Sequence, residues 1–394
     1  MQSLLYERLK QLVMKRFLSI FYFITFTAYA SVQTHNVYFL GHSLVNFNMP
    51  AMFEDLCIDA GISGHQQAVT VGNGASLSWQ WTSPSSAQGP EYPTELATGL
   101  HDVFVMTEAV PLKNHLQWSN TYGFANNFHD LAQQYVANCQ TYMYETWHCI
   151  SSGTPTGCAY DDDDHIAWRT RLTNDLILWE SIADSVNLTT TGPPMFIIPA
   201  GQCMAALYDS IEAGAFLPTY DSIIDIFDDD IHLTDVGNYF ISLVMYATIY
   251  KSSPVGLTNQ TSDIWNVPFN APSVADATKM QELVWNVVCN YARSGVSCGA
   301  TAIANTIDKK NNFTFYPNPV SSDLLVCEWD LENEAFVKIE LLDVSGRKIK
   351  KMNERTMLAG KHKQTVDLSD ISSGICFIKM QIGDSVIIDR LIRN

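Results

Sequence analysis

The chain has 394 residues, long for one domain, with 47% hydrophobic and 16% charged residues; this is the composition of a folded protein with a sizeable core and excludes a disordered chain. Its formal charge of −18 is uneven: residues 17–311 hold 8 Lys and Arg against 28 Asp and Glu, whereas the remainder is near neutral. An acidic body of this size repels phosphate backbones, which argues against nucleic acid as a partner.

The first residues read as a targeting segment. Lys15 and Arg16 precede an apolar run, Phe17 to Phe26, that ends in Thr27-Ala28-Tyr29-Ala30, a small-x-small cleavage pattern. The expectation is a signal peptide over 1–30, with Met14 as a candidate natural start and Ser31 as the first mature residue. The run is too short to span a bilayer, and no transmembrane segment is expected.

From Val37 onward, short apolar runs alternate with helical periodicity, as in a parallel sheet covered on both faces. Strands are expected at Val37 to Leu40, Ala68 to Val71, Val103 to Thr107, Thr141 to Thr146 and Met195 to Pro199. Helices are expected at Pro50 to Ala60, Phe124 to Ala137, Ile166 to Val186 and Thr234 to Tyr250. The fold class is α/β, a flavodoxin-like three-layer αβα sandwich. A further piece from about residue 253 includes a helix over Ala275 to Tyr291, whose Trp285 and Val287 suggest packing on the main domain. A linker over 299–312 follows. Beyond it, strand-and-turn alternation gives a small all-β sandwich over 313–394.

Within the first strand–helix unit, Gly41 breaks the strand and Ser43 follows at the sheet's carboxyl edge, where open α/β sheets place their ligands. Ser43 has a plain alternative as a cap for the helix entered near Asn48 and Pro50. A nucleophilic serine needs a base and a group to orient it. Asp229-x-x-His232 supplies both from one loop, and Thr234 or Asp235 is free to cap the helix beyond. Gly295-Val296-Ser297-Cys298-Gly299 matches a nucleophile elbow in letters only, since it follows a helix and precedes the linker.

Gly41-His42-Ser43-Leu44 and Asp229-x-x-His232, in this order, resemble the SGNH (GDSL-like) hydrolases over roughly residues 36–252. The resemblance implies the SGNH hydrolase fold over 31–298, Ser43 as nucleophile, His232 as base, Asp229 as its orienter, and no cofactor or metal. It also implies an oxyanion hole from the Ser43 and Gly74 backbone N–H groups. The family's third donor, an Asn after a strand, has no match in Val105-Met106-Thr107-Glu108-Ala109, so the Asn73 side chain stands as substitute and Glu108 is expected to point away, bonding loop backbone or Ser/Thr groups. His42 replaces the Asp of the commonest GDSL form.

Trp79, Trp81, Trp118 and Trp147 lie near these blocks in sequence. Exposed, they would stack on sugar rings; the commoner role for tryptophan is core or wall. Asp161 to Asp164 with His165 read as a solvated loop or, alternatively, a Ca²⁺ site. Among nine cysteines, Cys149 and Cys158, and Cys289 and Cys298, flank short loops as candidate local disulfides, whereas Cys57, Cys139 and Cys203 lie in apolar elements.

The C-terminal pieces Phe315-Tyr316-Pro317-Asn318-Pro319, Leu341-Leu342-Asp343-Val344-Ser345-Gly346-Arg347, Val366-Asp367-Leu368-Ser369 and Gly374-Ile375-Cys376-Phe377, with Arg390 and Arg393, resemble the sorting domain of the type IX secretion system. That resemblance implies export through the periplasm to the cell surface or medium, with the secretion machinery as a partner. The combined expectation is a secreted serine esterase acting on O-acyl groups of a polysaccharide. The alternatives are a general short-chain esterase or lipase, and a non-catalytic carbohydrate-binding protein on a hydrolase fold.

Overall fold

The computed structural model describes residues 33–214, 217–298, 313–317, 320, 323–331, 333–342, 348–371, 374–382 and 385–393. The signal-peptide and linker segments lie outside these residues. The chain divides into two units, 1–297 and 298–394.

The first unit is built on five parallel strands, β1 (Asn36–Gly41), β2 (Gln66–Val71), β3 (Val103–Met106), β4 (Gln140–Tyr144) and β5 (Phe196–Ile198), in the order β2-β1-β3-β4-β5. β1 is apolar on both faces because both are covered, as a parallel sheet requires. Its alternate residues serve different layers. Tyr38 and Leu40 join a core with Phe104, Met106, Phe128 and Trp179, whereas Phe39 meets Phe53 edge-on at 5.9 Å. The helices are α1 (Asn48–Asp59), α2 (Leu77–Thr82), α3 (Tyr92–Ala97), α4 (Leu112–Trp118), α5 (Thr121–Tyr135), α6 (Trp168–Asn187), α7 (Ala200–Glu212), α8 (Asp235–Ile249) and α9 (Val274–Asn290).

The expected α/β sandwich with a parallel sheet is therefore present, and the five expected strands agree to within two residues at each end. Four helices, α2, α3, α4 and α7, were not expected. The first three have only six or seven residues, too few for a periodic signal. α7 starts directly after Pro199, with no Ser, Thr, Asn or Asp cap to signal its beginning.

α8 is buried from Val236 to Ile249 and packs against α1. Thr234 caps it by accepting from the Gly237 N–H at 3.3 Å. α9 packs on α8 through Ala277, Met280, Gln281, Val284 and Val288, a helical stripe. Trp285 and Val287, expected to carry this contact, are only half-buried because they fall beside the stripe. Among the described residues no helix is long and apolar enough to cross a membrane.

The second unit has two antiparallel sheets, one of β6 (Thr314–Tyr316), β7 (Leu324–Leu331) and β10 (Gly360–Asp367), the other of β8 (Ala335–Leu342), β9 (Lys348–Met357), β11 (Gly374–Ile382) and β12 (Ser385–Arg393). Leu325, Cys327 and Trp329 from one sheet share a core with Val337, Ile339 and Ile378 from the other. This is the expected all-β sandwich.

Candidate active site

The sheet order places β1 at the switch point, since the chain leaves it for β2 on one side and β3 on the other; ligands of open α/β sheets bind at this crevice. β1 ends at Gly41, where a Cβ would fall 2.5 Å from Val45 Cγ2 and 2.7 Å from Thr107 Cγ2. Only glycine allows the chain to turn this tightly. The Gly41 carbonyl accepts from the Gly72 N–H at 2.8 Å and from Gln80 Nε2 at 2.5 Å, which ties the loop after β2 to the end of β1.

His42 is buried beneath this turn. Its Nδ1 accepts from the Leu44 N–H at 3.3 Å, and its Nε2 donates to the Glu108 carbonyl at 3.1 Å. Burial lowers its pKa from 6.5 to about 4, so the ring is neutral and serves as a brace. The N-terminus of α1 is served by Asn46, whose Oδ1 accepts from Asn48 N at 2.7 Å and Met49 N at 3.0 Å. The capping alternative for Ser43 thus falls to Asn46, and the Ser43 hydroxyl is left for another partner.

That partner is His232. Its Nε2 lies 2.8 Å from Ser43 Oγ and its Nδ1 2.7 Å from Asp229 Oδ2. Asp229 Oδ1 also accepts from Ile231 N at 2.8 Å and His232 N at 2.7 Å. Burial by itself would raise the Asp229 pKa, but the two N–H groups and the imidazole outweigh it and hold the carboxyl below its ordinary range. An ionised carboxylate on Nδ1 leaves the Nε2 lone pair toward the serine, the arrangement for taking a proton from a hydroxyl.

Several further residues hold these parts together. Asn238 of α8 accepts from Asn46 Nδ2 at 2.8 Å and donates to the Leu233 and Thr234 carbonyls, joining the serine turn to the histidine loop. The β4–α6 loop grips the other side. Trp147 Nε1 donates to the Ile231 carbonyl at 2.8 Å and Ile150 N to the Asp230 carbonyl at 2.7 Å. The Asp230 carboxylate accepts from Ser151 N at 2.9 Å and Ser151 Oγ at 2.8 Å. Apart from the Asn238 bonds to Leu233 and Thr234, these pairs join residues far apart in sequence and become visible only with the fold.

A cavity of about 470 Å³ opens over the triad, lined by His42, Ser43, Leu44, Asn73, Gly74, Ala109, Val110, Tyr160, Ile231 and His232. Gly74 adopts a left-handed φ of +64°, which turns the Asn73–Gly74 loop toward Ser43 without a side chain at the second position. Glu108 is fully buried and outside this lining. Its Oε1 accepts from Leu77 N at 3.0 Å and Ala109 N at 2.8 Å, and its Oε2 from Thr121 Oγ1 at 2.7 Å. Burial raises its pKa, and the Thr121, Ala109 and Leu77 donors pull it part of the way back. It links the loops after β2 and β3.

Among the described residues no tryptophan lines the cavity, Trp79, Trp81 and Trp147 included. Trp147 is 1% exposed and its N–H is engaged. Trp81 stacks on Tyr92 and packs edge-on against Phe128 in the core. Trp79 is half-buried beside Gly72, where a Cβ would lie 2.6 Å from Trp79 Cζ3. Trp118 is exposed at the end of α4, away from the lining. The aromatic side chain that does reach the cavity is Tyr160, hidden in sequence within an acidic loop.

Three carboxylates of the Asp161–Asp164 loop are engaged by protein donors. Asp161 is paired with Arg171, Asp163 lies 2.9 Å from Lys113 Nζ, and Asp164 accepts from Cys158 N at 3.1 Å. Among the described residues the one cluster of metal-ligating types is Cys149, Cys158 and Asp230, and its two cysteines are joined in a disulfide, so they offer no thiolate. Cys289 and Cys298 are also disulfide-bonded, whereas Cys57, Cys139 and Cys203 are buried free thiols.

Residues 314–394 match the family model described as the secretion system C-terminal sorting domain. This is the domain expected there, and it marks the chain for type IX secretion, to the cell surface or the medium. No curated protein matches the chain. Among solved structures, the chain is similar to a putative GDSL-like lipase from Parabacteroides merdae ATCC 43184, at 9% identity over 55% of this chain and 96% of that one, with a TM-score of 0.39. It is also similar to a carbohydrate esterase family 3 protein from Talaromyces cellulolyticus (11% identity, 55% and 96% covered, TM-score 0.34). A family 3 carbohydrate esterase from Clostridium thermocellum gives 10% identity, 54% and 94% covered, and a TM-score of 0.31. Likeness this distant has no bearing on activity or substrate, which rest on the site itself.

Proposed function

We propose that the protein is a secreted serine esterase of the SGNH type that removes O-acyl groups, chiefly O-acetyl, from a polysaccharide. The observation that carries this reading is the pair of short hydrogen bonds, 2.8 and 2.7 Å, that link Ser43 to His232 and His232 to Asp229 beside a cavity. Ser43 Oγ attacks the ester carbonyl as His232 Nε2 takes its proton. Asp229 orients the ring and stabilises the imidazolium. The Ser43 and Gly74 N–H groups, with the Asn73 amide, hold the oxyanion. Collapse of the tetrahedral intermediate gives an acyl-serine and releases the alcohol with the proton from His232; water activated by the same imidazole then frees the acid.

Small aliphatic walls from Leu44, Ala109 and Val110 suit a short acyl group. The sorting tail supports a substrate met outside the cell, as a polysaccharide is. We place the catalytic domain at 31–298 and the sorting domain at 313–394, so a chain truncated after Lys310 should keep its kcat and fail to reach the cell surface. The direct test is acetate release from acetylated polysaccharides, alongside p-nitrophenyl acetate hydrolysis, by wild type and Ser43→Ala. A wild-type protein inert toward every ester would overturn the reading. A Ser43→Ala protein at wild-type rates would move the nucleophile elsewhere.

A further inference from the structure

In the proposed reaction the two halves of the ester leave on different sides of Ser43. The carbonyl oxygen faces the Ser43 and Gly74 N–H groups, and Gly74 comes from the loop after β2, on one side of β1. The alcohol oxygen takes its proton from His232 Nε2, so the alcohol must lie along the His232 flank. The cavity-lining residues of that flank are His232, Ile231 and Tyr160. Tyr160 belongs there by construction, because it comes from the loop after β4, on the other side of β1, and that loop is bonded to the histidine loop through Trp147, Ile150 and Ser151.

Tyr160 is held as well as exposed. Its hydroxyl lies 2.8 Å from Cys149 Sγ; the disulfide sulfur carries no proton, so the hydroxyl donates. The Cys149–Cys158 disulfide closes the loop just before it, and the buried Asp161–Arg171 pair fixes the chain just after it. With the polar end occupied and 56% of the residue exposed, what remains available is ring face. The rest of the lining is aliphatic, amide, glycine, hydroxyl or imidazole. Burial, then the carboxylates of Asp230, Asp161 and Asp229, raise the phenol above its ordinary pKa, which keeps the ring neutral.

We propose that Tyr160 determines specificity for the alcohol half of the ester, its ring forming the platform on which a cyclic alcohol such as a sugar ring stacks. This rests on the proposed esterase reaction and adds the residue that selects its leaving group. The step itself is unchanged: the Ser43 Oγ–acyl bond forms as the acyl–oxygen bond to the alcohol breaks, and the alcohol departs over Tyr160 with the His232 proton. A linear alcohol of one or two carbons is too small to cover the ring and gains little from it.

The test compares acetate esters that differ only in the alcohol: methyl acetate, phenyl acetate and an O-acetylated oligosaccharide. Tyr160→Ala should lower kcat/KM roughly tenfold on the two cyclic alcohols through KM, with methyl acetate within about twofold of wild type. Tyr160→Phe, which keeps the ring, should stay within a few fold on all three. Equal losses by Tyr160→Ala on all three esters, no loss on any, or a Tyr160→Phe loss as large as that of Tyr160→Ala would overturn the assignment and leave the esterase reading standing. A wild-type protein inactive on all three would overturn both.

Discussion

Replacing Glu108 by Gln separates scaffolding from chemistry at a buried carboxylate near the site. In the structure Glu108 receives two backbone N–H groups and one hydroxyl, with no contact to Ser43 or His232. In the Gln variant the amide oxygen can keep Leu77 N and Ala109 N, while the amide nitrogen faces Thr121 Oγ1, which must reverse and leave its own proton without that acceptor. Two charge-assisted bonds become neutral ones, at about 1 kcal/mol each, and one buried hydroxyl proton is orphaned, at about 1–3 kcal/mol. Relief from burying the carboxylate offsets part of this, for a net loss of about 2 kcal/mol. Glu108→Ala removes all three acceptor contacts and should cost about 3–6 kcal/mol. Guanidinium unfolding followed by tryptophan fluorescence measures both, with p-nitrophenyl acetate turnover on the folded variant in parallel. The Gln protein should show a lower midpoint and kcat within about fivefold of wild type. A Gln protein of wild-type stability that is inactive, with a displaced pH–rate profile, would refute this reasoning and make Glu108 a proton carrier.

Asn73→Ala should lower kcat by roughly ten- to a thousandfold with little change in KM, the scale for one lost oxyanion donor; steady-state kinetics on p-nitrophenyl acetate decide it. His232→Ala should abolish turnover, whereas Asp229→Asn, which leaves serine and imidazole in place, should retain more activity; equal effects would argue against Asp229 as orienter. His42 supplies a pH prediction. Its folded pKa of about 4 lies below the ordinary 6.5, so as pH falls from 6.5 the unfolded chain takes a proton that the folded chain refuses. The His42 contribution is fully present above about pH 6.5 and lost by about pH 4, amounting to about 3 kcal/mol. Urea midpoints of wild type and His42→Gln across this range should therefore differ in slope, and parallel curves would count against a neutral buried His42.

Legibility in the sequence follows the range of the interaction. Asp229 and His232 sit three residues apart, and the Gly41-Ser43 turn follows a continuous apolar strand, so local pattern brought both into view. Their meeting across 189 residues depended on the α/β order of strands, which periodicity supplies. What a side chain faces is set at longer range. Trp81 and Trp147 are close to the site in sequence, but whether a ring faces a cavity or a core is decided by layers that sequence proximity does not report. Tyr160, inside Cys158-Ala159-Tyr160-Asp161, carries no local mark of its role, because its display at the cavity depends on how the Cys149–Cys158 loop and the Asp161–Arg171 pair are set against the histidine loop. Asn238 lies within a helix buried on every side, where one amide gives no hint that it bonds Asn46.

The central claim is that Ser43 is a nucleophile activated by His232, and covalent capture tests it most directly. Purified protein treated with a fluorophosphonate, which phosphonylates activated serines and releases fluoride, should gain one adduct by intact mass. Peptide mapping should place the adduct on Ser43, esterase activity should fall in proportion to labelling, and Ser43→Ala and His232→Ala should stay unlabelled. An adduct on another serine, or an active protein that takes up no label, would contradict the account.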